Sequence, residues 1–391
     1  MPIDPALARD IDRAVDDDAA ALRELALKIH AHPELRFEEH KAAAWICELL
    51  RARGHRVEVG LGGMATSFTA RAGRGGGARV AILAEYDALP AIGHACGHNL
   101  IAAGGVGAYL AAARVVDRVG GEVILVGTPA EEGGAGKVKL IEAGVFAGVD
   151  AAMMFHPFDR DILAHPALTN SYMTFTFRGR PAHAAAAPHQ GRSALTACMD
   201  TFRLIDGQRV HFRDGVRVHG IVTDGGVAVN VIPDRASCEL SVRARDAAER
   251  ARVEGIVERC ARAAAMASDV EVGIELRPGY LDMRNNLTLA RLFGAHAEAL
   301  GRAPRETDER VGAASTDMGD VSHVVPSIHP WLAVVDEGGP NIHTHEFAAA
   351  AGSDRGVRTA LDASKALART AIEVLGDRAL QGRIQDEWRR R

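Results

Sequence analysis

The amino-acid sequence predicts an α/β fold in two domains. The larger is built on a central, mostly parallel sheet, and a smaller ferredoxin-like α+β domain (β-α-β-β-α-β) is inserted into it. Three observations predict this. At 391 residues the chain is too long for one typical domain. Between His55 and Pro157, short apolar strand patterns alternate with helical ones, as an α/β domain requires. From about Leu168 the texture changes, and the run to Pro278 reads strand, helix, strand, strand, helix, strand.

The elements follow in order. Residues 18–35 and 37–54 carry apolar side chains near helical spacing, and the second stretch stops at Gly54. Strands are predicted at 55–60, 66–73 and 79–87, the last (RVAILAEYD) a nearly continuous buried run. Residues 98–117 read as a helix rich in small residues, 122–134 as strand into loop, 137–146 as a short helix and 149–157 as another buried strand. In the insert, Met173, Phe175 and Phe177 share one face of a half-buried strand over 171–179. A helix (193–207), two strands (216–226 and 236–245), a long amphipathic helix (246–267) and a last strand (270–278) complete it. Helix and strand patterns resume at 287–300 and 329–336, and a closing helix is expected near 353–375. The expected domains are therefore 1–168 with 282–391, and 169–281 between them. Insertion into a loop is tolerated because domain termini usually lie close together.

Composition narrows the function classes. With 47% hydrophobic and 25% charged residues, the chain has the make-up of a soluble globular protein. A net charge of −5, from 46 basic and 51 acidic residues, implies no polycationic surface for nucleic acid. No stretch approaches eighteen apolar residues free of charge and glycine, and the acidic start MPIDPALARDID lacks the apolar centre of a signal peptide. Neither a membrane partner nor export is expected. The five cysteines (Cys47, Cys96, Cys198, Cys238, Cys260) are scattered and odd in number, which fits reduced thiols in cytoplasm.

The chemistry is concentrated in GHACGHNLIAA, residues 93–103, where Cys96 and His98 stand two apart as an extended segment enters a helix. Alternate residues of an extended chain share a side, so thiolate and imidazole can face one metal ion. Further on, TPAEEGG supplies the adjacent acids Glu131 and Glu132, and an apolar run ends at His156. Each piece alone has a plainer reading: a chance CxH, a solvated acidic loop, a turn histidine before proline. Together they follow apolar strand runs, at the carboxyl ends where sites of α/β sheets gather. Thiolate, imidazole and carboxylate suit a divalent transition metal such as Zn²⁺ or Mn²⁺.

With IHAHPEL, AEYDALPAIGHACGHN, PAEEGG, GRPAHAA, PHQGRSAL, NVIPD, STDMGDVS and NIHTHEF in this order, the chain resembles the M20 metallopeptidase and amidohydrolase family over essentially its whole length. The wording is closest to the branch of β-alanyl dipeptidase-like and aminobenzoyl-glutamate hydrolase-like proteins, although Asn99 stands where related hydrolases often carry Asp. The resemblance implies two divalent metal ions per subunit, ligated by Cys96, His98, Glu132, His156 and His343, with His345 a rival for the last place. It implies Glu131 as general base and Asp87 as the carboxylate that orients a ligating histidine. It places His183 over the metals as oxyanion donor, in some relatives from the other subunit of a dimer, and Asn230 among the substrate contacts. Where many relatives have a further histidine, this chain has Glu85.

Two assignments rest on residue chemistry. Arg284 is a candidate for bidentate pairing with a substrate carboxylate. Ser315 opens STDMGDVS, read either as pocket lining or as a helix cap. The expected function is metal-dependent hydrolysis of an amide bond in a small N-acyl amino acid or dipeptide-like substrate, by a chain that dimerises through its inserted lid domain. A two-metal exopeptidase acting on longer peptides, a hydrolytic deaminase of aromatic amines and a non-catalytic metal-binding protein are the alternatives.

Overall fold

A computed structural model of the chain describes residues 3–390. The chain divides into two compact units. One runs from the N-terminal helix to Pro166 and takes up again at Met283–Ala313 and from Asp317 on; the other comprises Ala167–Asp282 with Ala314–Thr316.

The outer unit opens with α1 (Pro5–Ala31), which begins well before the periodic stretch at residue 18. Asp4 caps it by accepting from the Ala6 N–H, and Pro5 suits the first turn, where an N–H has no partner anyway. It ends before Pro33, because the residue preceding a proline is driven out of helical geometry. Helix α2 (His40–Ala52) leads into β1 (Val57–Val59), β2 (Phe68–Gly75) and β3 (Arg79–Ala84). Then come α3 (His98–Val115), β4 (Gly121–Gly127), α4 (Gly136–Glu142), β5 (Ala151–Met153) and β6 (His156–Phe158).

The inserted unit contains β7 (Thr169–Arg178), α5 (Ala194–Gln208), β8 (Arg217–Asp224), β9 (Arg235–Ala244), α6 (Ala247–Ala267) and β10 (Glu271–Pro278). Its sheet runs β10-β7-β9-β8, antiparallel throughout. Met173, Phe175 and Phe177 point into its own core, with Cys198, Cys238 and Val257. The outer unit resumes with α7 (Leu287–Glu298), α8 (Met318–Val324), β11 (Ser327–Ile328), β12 (Trp331–Ala333), α9 (His345–Ala351), α10 (Asp354–Gly376) and α11 (Arg378–Arg389).

The outer sheet is mixed, in the order β1-β2-β4-β3-β5-β11. Strands β4, β3, β5 and β11 are parallel, and β2 joins β4 antiparallel. Strand β3 lies between two parallel neighbours, and Val80 to Ala84 are completely buried. Helix α3 packs close above it because its residues are small: a Cβ on Gly105 would stand 2.8 Å from the Leu83 carbonyl oxygen. Among the described residues α3 is apolar and long enough to cross a membrane, yet it is buried inside this unit.

One expected strand is in fact two. Residues 149–157 split into β5, in the main sheet, and β6, which pairs in parallel with β12. The chain changes partner at Met154–Phe155, where the Met154 N–H donates to Ile328 and the His156 N–H to Pro330. This switch throws His156 clear of the main sheet. Helices α9 and α11 had no counterpart in the periodicity, being short or rich in charge. Ile82, at the centre of β3, is fully buried; Ile82→Ala is expected to cost about 2–5 kcal/mol in urea unfolding, and a cost under about 1 kcal/mol would contradict the close packing.

Candidate metal centre

The chemistry-bearing loops of the outer unit leave the carboxyl ends of parallel strands. Glu85 and Asp87 follow β3, Glu131 and Glu132 follow β4, His156 follows β5 and His329 follows β11. Cys96 and His98 flank Gly97, whose φ of +78° is left-handed and whose Cβ, if present, would lie 2.9 Å from Pro157 Cγ. Only glycine fits there, and the absent side chain lets the Cys96–His98 turn press against the His156 segment. His343 also has a left-handed φ, of 65°, and its N–H donates to the Ala95 carbonyl at 2.9 Å.

These loops bring the side chains together. Cys96 Sγ lies 3.4 Å from His156 Nε2 and 3.6 Å from His343 Nε2. Thiolate at about 2.3 Å and imidazole at about 2.0–2.1 Å on one tetrahedral ion stand about 3.5 Å apart, so these are ligand spacings. Three overlapping sets, Cys96–His98–His156, Cys96–Glu132–His343 and His98–Glu131–Glu132, each present donor atoms within 4.8 Å of one another. His345, first residue of α9, is exposed and belongs to none of these sets.

The imidazoles are turned by their far nitrogens. His98 Nδ1 meets Asp87 Oδ1 at 2.9 Å and the Asp87 carbonyl at 3.0 Å; His156 Nδ1 meets the Pro157 carbonyl at 2.8 Å. These acceptors put the proton on Nδ1 and leave the Nε2 lone pair toward the cluster. Glu85 Oε2, His98 Nε2 and Glu132 Oε1 are buried and have no hydrogen-bond partner. Buried polar atoms are ordinarily paired. Three such atoms converging with a thiol and further imidazoles make a donor set that fits a divalent cation.

Acidity is divided in the same way. Burial, then the Glu85, Glu132 and Asp317 carboxylates, push Glu131 well above the usual carboxylate range. Burial acts in that direction on Glu132 too, but the His343 and His98 imidazoles outweigh it and lower its pKa. Burial, then the Glu132 carboxylate, raise the Cys96 thiol, while burial and the charge on His98 bring His156 down to about 4. A coordinated cation reverses the sense for the thiol, which ionises when it ligates.

Some of the machinery was not evident in the sequence. Lys137, fully buried on α4, donates from Nζ to Glu85 Oε1 and, at 2.6 Å, to Asp317 Oδ1. It looks no different in KVKL from Lys139, which is exposed. Asp317 is thereby engaged, and α8 has no side-chain cap, so the capping alternative for STDMGDVS is not what forms. Buried Asn99 donates from Nδ2 to the Ala26 and Ala351 carbonyls, at 3.2 and 3.0 Å, and so braces α1 against α9. An aspartate in its place has no N–H to give.

The remaining sequence-predicted residues lie elsewhere. His183 and Asn230 are neighbours within the inserted unit: His183 bridges to Val231, and the Ala184 N–H donates to the Asn230 carbonyl at 2.9 Å. His183 Nδ1 accepts from the Ala185 and Ala186 N–H groups at 3.3 and 3.1 Å. Ser315 clusters with the inserted unit, and its Oγ has no hydrogen-bond partner. Arg284 resumes the outer unit, its backbone N–H donating to Ser322 Oγ at 2.9 Å.

Comparison with known proteins gives this centre a context. The family model described as the M20 peptidase dimerisation domain matches residues 170–268. Over 399 residues the chain is 34% identical to the Xaa-Arg dipeptidase of Mus musculus, spanning 98% of this chain and 92% of that protein. The chain belongs to the M20 peptidase family. This M20 hydrolase is also 28% identical over 457 residues to a p-aminobenzoyl-glutamate hydrolase of Escherichia coli (strain K12), spanning 97% of this chain and 94% of that one. A crystal structure of a dinuclear metal-binding M20 peptidase from Bacillus subtilis shares the fold with a TM-score of 0.71 at 22% identity, over 92% of this chain and 99% of that one.

A cation that binds only the folded centre stabilises it by mass action. Chelation is expected to lower the unfolding midpoint by on the order of 5 °C, with return of Zn²⁺ or Mn²⁺ restoring it. His98→Ala should abolish the restoration; an identical response in that variant would place the binding elsewhere.

Proposed function

We propose that this M20 hydrolase cleaves the amide bond of a small dipeptide-like or N-acyl amino acid substrate, with Glu131 as general base. The observation that carries the reading is the cage of Cys96, His98, Glu132, His156 and His343 at ligand spacing, with Glu131 facing the same cluster. Two Zn²⁺ or Mn²⁺ ions suit a donor set in which Cys96 belongs to two groups, and bound there they supply a water of lowered pKa and a pull on the scissile carbonyl.

The chain's own residues do the rest. A Glu131 oxygen takes a proton from the attacking water and returns it to the leaving nitrogen as the C–N bond breaks. Its raised pKa suits both halves of that duty. Asp87 keeps His98 in the ligating tautomer. His183 uses Nδ1 as an acceptor, so its proton is on Nε2, the donor that a tetrahedral oxyanion requires. Asn230 beside it is assigned to the substrate, and Arg284 to a substrate carboxylate.

The mouse relative is named for Xaa-Arg dipeptides and the bacterial one for an acyl-glutamate amide. Both names support a small amide over a long peptide. With the metal-loaded enzyme, a panel of Xaa-Arg and β-alanyl dipeptides and N-acyl amino acids is expected to contain the best substrate. Glu131→Gln is expected to lower kcat by about 10²–10⁴-fold while about two metals per chain remain. Retained turnover in that variant would remove Glu131 as base; turnover confined to longer peptides or aromatic amines would favour the exopeptidase or the deaminase.

We also propose a homodimer through the inserted unit. Strand β8 is an edge strand, with Ile221 and Val222 exposed, and Val227 and Val229 follow it fully open to solvent. Long apolar edges invite pairing with a second chain, and the matched family domain is described by dimerisation. Ile221→Lys is expected to turn a dimer into a monomer in sedimentation at micromolar concentration, with little change in the unfolding midpoint. A wild-type chain that sediments as a monomer would end the proposal.

A further inference from the structure

The loop that carries Glu131 and Glu132 turns on Ala130, a fully buried alanine with a left-handed φ of 61°. Its carbonyl accepts from the Gly134 and Gly136 N–H groups at 3.1 and 3.4 Å, closing the loop. Its own N–H has no access to water and donates instead to Glu39 Oε1 at 2.9 Å. The same oxygen accepts from the Phe37 N–H at 2.8 Å, and Phe37 also has a left-handed φ, of 66°. Glu39 Oε2 accepts from Thr66 Oγ1 at 2.9 Å.

Glu39 stands just before α2, completely buried, and among the described residues no Lys, Arg or His forms an ion pair with it. A carboxylate buried without a cation is costly, and burial pushes this one up to about 7. Strained backbone persists only where its surroundings over-determine it. Here a single oxygen gathers two N–H groups from separate loops, both in the left-handed region, one of them directly before the base.

We propose that Glu39 is a positioning residue that holds the Ala130 backbone, and through it the Glu131 carboxylate, in working orientation. The inference rests on the reading of Glu131 as general base. Glu132 is held independently, since its N–H donates to Asp87 Oδ2 at 2.9 Å. Loss of Glu39 therefore disturbs the base and leaves the ligand in place.

The test uses the metal-loaded full chain and reads kcat, KM and metal per chain separately. Glu39→Met, near in size but without acceptors, is expected to lower kcat about 10–100-fold, as a displacement of about 1 Å does. KM should stay within about 3-fold, with metal content unchanged. Glu39→Gln keeps the Oε1 acceptor and is expected to recover kcat to within about 3-fold of wild type. The proposal is overturned by a Met variant within 3-fold of wild-type kcat, by metal lost in step with activity, or by a Gln variant as impaired as the Met one. If the Met variant does not fold, Glu39→Asp, which draws the carboxylate back by one methylene, is read by the kcat, KM and metal criteria. An inactive Glu131→Gln beside an unaffected Glu39 variant would defeat this inference alone, whereas an active Glu131→Gln would defeat the reading beneath it.

Discussion

Negative charge buried at one edge of the outer sheet is the constraint on which the rest of the site depends. Glu85, Asp87, Glu131 and Asp317 are all buried there, with Glu132 and the Cys96 thiol beside them. Two like charges 4 Å apart at an effective dielectric near 20 repel by about 4 kcal/mol. Lys137 offsets the wall of this cluster by sitting between Glu85 and Asp317. On the inner side, Glu85 Oε2, His98 Nε2 and Glu132 Oε1 face one another without partners. Divalent cations are the counter-charge that such a donor set accepts, so charge balance and catalysis call for the same ions.

A cage of this kind has to be rigid, and the bracing runs between loops as much as from strand to loop. The His343 N–H reaches the Ala95 carbonyl, the Glu132 N–H reaches Asp87, and Gly97 abuts Pro157. Left-handed φ values at Ala130, Ala135 and His343 cost roughly 1–2 kcal/mol each for residues other than glycine. A buried sheet with β3 at its centre supports that strain. The loops are thereby held to the tolerance that a preorganised site requires.

Much of this was legible in the sequence. Residue type and position relative to apolar runs marked Cys96, His98, Glu132 and His156, because ligands at the ends of parallel strands share an edge whatever lies between them. The parallel strands and the β-α-β-β-α-β insert were legible for the related reason that their side-chain periods are local. His343 needed the resemblance, since nothing near it in sequence announces a ligand. The split of 149–157 into two sheets was hidden because one apolar run does not record a change of partner. Lys137 and Glu39 were hidden more deeply: each resembles a solvated charge at a helix start, and only long-range contacts make it a buried one.

Glu131 and Glu132 show the limit most clearly, since they are the same residue twice in one loop. Their environments pull them apart: Glu132 lies against His343 and His98, and Glu131 is crowded by Glu85 and Asp317. Opposed environments are what give two carboxylates different duties. The neighbours responsible come from β3, the start of α8 and the approach to α9, far apart along the chain. The division of labour is therefore a property of the fold, and exchanging the neighbours would redistribute it without altering either glutamate.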